Sequence, residues 1–192
     1  MIRTAILSAD GRYRYRLGRQ WGAGSTRLPW IMLNPSTADA ERDDPTIRRV
    51  IAFSRAWGYD GCDIVNLCAF RSTDPARLRT VANPVGPRNA PTIATLVREA
   101  ADSGAMAIVV AWGCDGDALL RSTDPVGHRV RHVAEAATTA WTAAGLSAIH
   151  LGTTAQGAPR HPLYVAGATR PLPYSVAANA SCSRSRSAAL TR

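Results

Sequence analysis

A short apolar run that stops abruptly at a turn sequence is the feature that most constrains the fold of this chain. The run from Trp30 to Leu33 has the length and composition of a buried strand. The Asn34-Pro35-Ser36 sequence that follows favours a turn and ends the strand. In an open parallel sheet, ligands bind in the crevice at the carboxyl ends of the strands. The motif therefore fits either an ordinary strand-to-loop turn or a polar side chain delivered to a binding site.

Further apolar runs alternate with segments of helical periodicity along the rest of the chain. Asp44-Pro45 predicts the start of a helix, because Asp is a side-chain cap and Pro lacks only an N–H that has no partner at the first position. Gly58 predicts its end. Strands are predicted at 62–67, 106–112 and 146–151, and further helices at 90–103 and 127–144. This alternation predicts an α/β fold, a three-layer α/β/α sandwich around a mainly parallel sheet.

The amino-terminal segment predicts an antiparallel hairpin added to that sheet. Residues 2–7 and 12–18 have strand character and flank Asp10-Gly11, a turn sequence. Tyrosine and leucine alternate with arginine in the second strand, so one of its faces would be apolar and the other basic. If the hairpin forms an edge of the sheet, these arginines face water.

Size and composition predict one domain. A chain of 192 residues with 46% hydrophobic content is too short for two comfortable domains. We predict a domain over 1–175 and a basic, disordered tail over 176–192. No apolar run approaches the roughly 18 residues of a membrane span, and the amino terminus does not resemble a signal peptide. Without C-x-x-C pairs, the four cysteines fit a reduced protein. We therefore expect a cytoplasmic monomer without a membrane partner.

The charge of the chain is strongly positive and is carried by arginine. There are 23 Lys and Arg residues against 14 Asp and Glu, a formal net charge of +9. The arginine guanidinium binds phosphate through paired hydrogen bonds and stacks on bases, which favours DNA as a partner. Arginine enrichment also follows from a GC-rich coding sequence, so the charge by itself favours DNA only slightly.

Four predicted strand ends carry distinctive residues, and their order resembles the uracil-DNA glycosylase superfamily. The sequences are LNPS at 33–36, IVNL at 64–67, IVVAWG at 108–113 and RHPLYV at 160–165. The chain also resembles a bacterial and phage domain family of unknown function, marked by LNPSTAD, DDPTIRR, AWGYDG and G-x-P-R-H-P-L-Y.

The superfamily resemblance implies a monofunctional DNA glycosylase that needs neither metal nor cofactor and acts on a flipped-out base. It implies that Asn34 orients the attacking water, that Asn66 reads the base edge and that His161 stabilises the departing base anion. Breaking the bond builds positive charge on the sugar and negative charge on the base, so neutral donors at the base assist it. The substrate-binding residues implied in addition are Pro35, Ser36, Thr37, Phe70, Trp112, Gly113 and Leu163.

Departures from the superfamily motifs shape the expected specificity. Thr46-Ile47 occupies the place of the aromatic residue that stacks on the base, so Phe53 or Phe70 would have to replace it. Ser36 stands where the strict uracil enzymes carry a tyrosine that blocks substituents at C5. The hypothesis that follows is a pocket with room for a modified pyrimidine.

Other interpretations of the same residues remain open. Asp39 is an alternative activator of water, while Arg48 and Arg160 are candidates for DNA phosphate contacts or simply solvated charges. Asn66 fits a satisfied structural amide as well as a base reader, and His161 also fits a capped loop position. The alternative functions are a non-catalytic nucleic-acid or base-binding protein and a hydrolase of free nucleosides or nucleotides.

Overall fold

A computed structural model, which describes residues 1–175, has a mixed α/β fold built on a seven-stranded sheet. The strands are β1 (Ile2–Leu7), β2 (Arg14–Gln20), β3 (Arg27–Met32), β4 (Gly61–Asn66), β5 (Ala107–Val110), β6 (Ser147–His150) and β7 (Leu172–Pro173). The helices are α1 (Pro45–Ala56), α2 (Asn89–Asp102), α3 (Gly113–Arg121) and α4 (Pro125–Ala143). Short 3₁₀ helices lie at Pro75–Arg79 and Pro162–Tyr164. The predicted tail, 176–192, lies outside the described residues.

The sheet has a parallel centre and antiparallel margins. Its strand order is β1-β2-β4-β3-β5-β6-β7, and β4, β3, β5 and β6 are mutually parallel. Trp30 of β3 lies opposite Ile64 of β4 and Val109 of β5. The apolar run of the sequence is therefore a central strand, as expected. Met32 lies opposite Asn66, so β3 and β4 end side by side at one edge of the sheet.

The predicted amino-terminal hairpin is confirmed, but its second strand lies inside the sheet. β2 pairs with β1 on one side and with β4 on the other, and both pairings are antiparallel. Arg14 and Arg19 are consequently buried, at 3% and 0% exposure. Arg16, half-buried, forms ion pairs with Asp63 and Glu99. The expectation that these arginines face water is wrong for Arg14 and Arg16, because β2 pairs on both sides and is not an edge strand. Arg12, which precedes β2, is exposed.

Two apolar clusters hold the helices against opposite faces of the sheet. Successive side chains of a strand point to opposite faces, and Trp30 and Ile31 accordingly belong to different clusters. The cluster around Trp30 includes Ile47, Val50 and Phe53 of α1. The cluster around Ile31 includes Ile93, Leu96 and Val97 of α2 and Val130, Val133 and Trp141 of α4. Each of these three helices thus packs on the sheet through one apolar face.

Local capping explains where the helices begin and end. The Asp44 carboxylate accepts a hydrogen bond of 2.9 Å from Ile47 N, and Gly58 ends the helical segment with a φ of +82°. Asp124 caps α4 in the same way, which starts the helix at Pro125 rather than at residue 127. α3 was not predicted from the sequence, because Gly113 at its start is also typical of a turn. Within the described chain, no helix is both long and apolar enough to cross a membrane.

Candidate functional site

The carboxyl ends of the central strands open into a cavity of about 790 Å³. This volume lies within the range of about 300–1,000 Å³ typical of small-molecule sites. Residues from all four motifs of the sequence analysis line it. Those predicted site residues are Asn34, Ser36, Thr37, Asn66, Trp112, Gly113, Arg160, His161 and Leu163. The parallel sheet thus brings together side chains that lie as much as 129 positions apart in the sequence, from Asn34 to Leu163.

The other predicted site residues do not line the cavity. Asp39 accepts hydrogen bonds of 2.9 Å from the backbone N–H groups of Glu41 and Arg42, and these bonds lower the pKa of its carboxyl group. Phe70 packs on Tyr13 in the core, and Arg48 lies exposed on α1 with a hydrogen bond to Asp43 O. The buried Pro35 stabilises the loop after β3, since its carbonyl accepts a hydrogen bond from Ser72 N.

Neither phenylalanine proposed to stack on a base reaches the cavity. Phe53 is 1% exposed in the core beneath α1, and Phe70 is 7% exposed in the opposite core. The aromatic side chains that line the cavity are Trp112, after β5, and Tyr164, in the second 3₁₀ helix. Stacking on a planar ligand therefore falls to these two rings.

Asn34 is held rigidly at the end of β3. Its Nδ2 atom donates to Ser72 O at 2.8 Å and to Pro35 O at 3.1 Å. Both bonds are made by the NH₂ group, so the Oδ1 atom is left to accept from water or a ligand. An amide in this arrangement orients a donor but is too weak a base to remove a proton.

Asn66 is buried, yet its amide oxygen has no hydrogen-bond partner among residues 1–175. The residue is 2% exposed and ends β4 at the cavity. A buried polar atom without a partner costs about 1–3 kcal/mol, so native structures almost always satisfy such atoms. The indole N–H of Trp112, which is 5% exposed, is likewise buried and has no hydrogen-bond partner among residues 1–175. Among the polar groups of the cavity wall that a ligand could satisfy are therefore an acceptor on Asn66 and a donor on Trp112.

Asn89 of α2 supports the end of β4 from beneath. It is fully buried, and its Nδ2 atom donates to the carbonyl oxygens of Asn66 at 2.8 Å and Leu67 at 3.1 Å. No local pattern in the sequence indicates this residue, since its role depends on packing of α2 against β4. Asn89 fixes the backbone from which the Asn66 amide projects.

His161 enters the cavity on the loop that follows β6. Burial lowers the pKa of His161 below its ordinary 6.5, and the nearby Asp44 carboxylate opposes this only in part. The His161 Nδ1 atom accepts a hydrogen bond of 3.4 Å from the backbone N–H of Leu163. In a neutral imidazole the ring hydrogen is therefore on Nε2. At neutral pH the side chain is therefore an uncharged imidazole with an N–H to donate.

Arg49 fastens this loop to α1. Its guanidinium donates to the carbonyl oxygens of Pro162 and Val165 and lies 4.8 Å from the centre of the Phe53 ring. The Arg49 guanidinium thus makes its hydrogen bonds within the protein. It positions the loop on which His161 lies.

Arg14 is one of the cavity residues that were not predicted as site residues from the sequence. It lines the cavity although it is only 3% exposed. Desolvation by burial lowers the pKa of the Arg14 guanidinium to about 10. The negative charge of Asp44 opposes this shift, and does so more than that of Asp39. Alternation in β2 had predicted a basic face, but no local signal indicated that this arginine is buried.

The first turn of α3 forms another part of the wall, through Gly113, Cys114 and Asp115. No side chain caps this helix. Cys114 is exposed, whereas Cys62 and Cys68 are buried, and burial raises the pKa of Cys68 to about 12. In the part of the chain that the structure describes, no group of three or more His, Cys, Asp and Glu side chains is placed to hold a metal ion.

A known family matches most of the chain. A family model described as a protein of unknown function, DUF1643, matches residues 14–163. The chain belongs to the DUF1643 family. No curated protein and no solved structure matches it.

The DUF1643 match and the cavity cover the same part of the fold. The matched segment begins at Arg14, at the start of β2, and ends at Leu163, beyond the His161 loop. Every cavity residue except Tyr164 lies within it. The family segment of this chain thus contains both the parallel centre of the sheet and the site at its carboxyl edge.

Proposed function

We propose that the cavity binds a nucleobase and that the protein hydrolyses the N-glycosidic bond of a modified pyrimidine in DNA. The observation that carries this proposal is the presence of Asn34, Asn66 and a neutral His161 around one cavity. The resemblance to uracil-DNA glycosylases implies a role for each of these three side chains. Two apolar clusters on opposite faces of the sheet support the accompanying three-layer α/β/α sandwich.

Each of the three side chains suits a different part of the reaction. The base leaves as an anion, and the Nε2–H of a neutral His161 can donate to the oxygen on which that charge develops. The Oδ1 atom of Asn34 can hold the attacking water, because its NH₂ group is already engaged. The unpartnered Oδ1 atom of Asn66 can accept a hydrogen bond from the edge of the base.

The surroundings of the cavity fit a base that has left a DNA helix. Trp112 and Tyr164 supply aromatic surface on which such a base would stack. Arg160 and Leu163, which are exposed, line the cavity where the DNA backbone would approach, and Arg48 extends the positive surface along α1. Ser36 leaves space beside Asn34 that a larger residue would fill, which supports a substituted pyrimidine as substrate.

Base release from defined oligonucleotides tests this proposal. The duplex and single-stranded substrates carry uracil, a thymine mismatch, 5-hydroxymethyluracil or a glucosylated base, and abasic sites are detected by alkaline cleavage. We expect release of a 5-substituted base, and a loss of about 100- to 1,000-fold in rate for His161→Ala. His132→Ala is the matched control, because His132 is exposed on α4 and does not line the cavity. Equal rates for the two histidine variants would refute the assignment of His161.

A non-catalytic base-binding protein is the second candidate. Asn34 favours it, because a side-chain amide cannot act as a strong base and both of its N–H groups are engaged within the protein. Such a protein would bind oligonucleotides that contain the modified base without releasing that base. In that case Asn66→Ala would weaken binding while no variant changed a rate.

A further inference from the structure

A buried guanidinium without a counter-charge lies at the wall of the cavity. The Arg14 guanidinium makes one hydrogen bond within residues 1–175, from Nη1 to the carbonyl oxygen of Ala38 at 2.8 Å. Its Nε atom is buried and has no hydrogen-bond partner in the described chain. No carboxylate of residues 1–175 lies within ion-pair distance, although Arg16, Arg19 and Arg27 in the same sheet are all paired.

The nearest acidic groups do not remove this imbalance. Asp44 lines the cavity, but its carboxylate accepts the capping hydrogen bond from Ile47 N. Asp39 is engaged by the backbone of its own loop. Arg71 and Arg19 add positive charge near Arg14. A buried charge without a partner is unfavourable, so its presence beside a cavity indicates a group that arrives from outside.

We infer that Arg14 is the anion-binding group of this cavity and takes a phosphate or carboxylate of the ligand. The uncapped first turn of α3 faces the same cavity and favours a negative charge there, while the Asp115 carboxylate in that turn opposes it. The guanidinium offers Nε and Nη2 as a forked pair of donors, which is the geometry that phosphate and carboxylate oxygens match.

An anion site at Arg14 restricts the substrate to molecules that carry a phosphate or a carboxylate. That such a molecule also contains a pyrimidine base rests on the proposed function. Two ligands would present an anion beside a base in the cavity. One is a nucleotide whose terminal phosphate reaches Arg14, and the other is a base that carries an acidic substituent. Ala38, which Arg14 contacts, follows directly on the loop of Asn34 to Thr37, so the anion would bind on the Ser36 side of the cavity.

Ligand-dependent stability of the full chain tests the inference. Thermal unfolding is measured with inorganic phosphate, deoxyuridine, deoxyuridine monophosphate and 5-carboxydeoxyuridine, and affinities are measured by calorimetry. The variants are Arg14→Met and, as a matched control, Arg12→Met, which removes an exposed arginine from the same hairpin outside the cavity. Phosphate at about ten times its Kd should raise the Tm of the wild type and of Arg12→Met by about 3–6 °C.

Arg14→Met should show no such rise. Without ligand it should unfold at the wild-type temperature or above, because an unpaired buried charge has been replaced by an apolar chain of similar length. Either deoxyuridine monophosphate or 5-carboxydeoxyuridine should bind about 10- to 100-fold more tightly than deoxyuridine. Tighter binding of the first identifies the anion as the phosphate of a nucleotide, and tighter binding of the second identifies it as an acidic substituent on the base. An arginine with only a structural role would instead give a less stable variant and an unchanged response to phosphate, which overturns the inference.

A second variant keeps the test decisive if Arg14→Met does not fold. Arg14→Lys retains the charge but lacks the forked donors, so phosphate should bind about tenfold more weakly with little change in Tm. Unchanged phosphate affinity in Arg14→Lys would contradict the inference. Base release is measured separately: its absence alongside intact phosphate binding refutes only the glycosylase proposal, and base release without any phosphate binding refutes only the role of Arg14.

Discussion

Asn89→Ala should destabilise the protein strongly although the residue touches no ligand. The Asn89 amide donates two hydrogen bonds, of 2.8 and 3.1 Å, to the backbone carbonyls of Asn66 and Leu67 in a fully buried position. Its removal leaves two buried carbonyl groups without donors, each costing about 1–3 kcal/mol. Its own Oδ1 atom has no partner within residues 1–175, and the loss of that unsatisfied atom offsets part of the cost. We expect a net loss of about 2–4 kcal/mol in the free energy of unfolding.

Thermal and urea unfolding measure this loss. For a domain of this size, about 2–4 kcal/mol corresponds to a fall in Tm of about 5–15 °C. Asn83→Ala is the matched control, since Asn83 is half-buried and its side chain accepts a single hydrogen bond, from Gly86 N at 3.0 Å. That variant should lose about 0.5–1.5 kcal/mol. If the two variants unfold within about 2 °C of each other, the argument that Asn89 holds the end of β4 is wrong.

Three further predictions concern the cavity and its loop. Burial lowers the pKa of His161, so the unfolded chain binds its proton more readily, and stability should fall as the pH drops below about 6.5. Urea unfolding between pH 5 and 8 should show this dependence, and His161→Gln should weaken it. Arg49→Gln removes the hydrogen bonds to Pro162 and Val165, so amide hydrogen exchange in the loop that carries His161 should accelerate. Unchanged protection of that loop would contradict the positioning role of Arg49. Ser36→Tyr should narrow the cavity at a half-exposed position, changing the free energy of unfolding by less than about 1 kcal/mol. It should weaken binding of 5-substituted deoxyuridines more than that of deoxyuridine, as measured by calorimetry, and equal weakening would count against a pocket open at C5.

Local signals were sufficient to predict most of the elements from the sequence. The Asp44-Pro45 pair and Gly58 mark the limits of α1, because capping and positive φ are properties of single residues and their neighbours. The apolar run before Asn34 identified the central strand for the same reason. α3 was missed because Gly113, with a φ of +70°, also suits a turn, and the nine-residue helix that begins with it contains a second glycine, Gly116.

The environment of the arginines and asparagines could not be predicted in this way. The burial of Arg14 depends on β2 pairing with β4, a contact between residues more than 40 positions apart that no local pattern encodes. Likewise, the support that Asn89 gives to Asn66 depends on how α2 packs beneath the sheet. The convergence of the strand-end motifs on one edge followed from parallel topology alone. The place of Tyr164 in the aromatic lining could not be predicted, because it depends on the path of the loop after β6.

The distribution of the cysteines offers a direct way to observe the cavity in solution. Cys62 and Cys68 are shielded inside the two cores, while Cys114 is exposed in the first turn of α3, at the cavity wall. With Cys182, which lies outside the described residues, changed to serine, a maleimide dye should attach selectively at Cys114. Its emission would then report when the site fills, without any assumption about which molecule fills it.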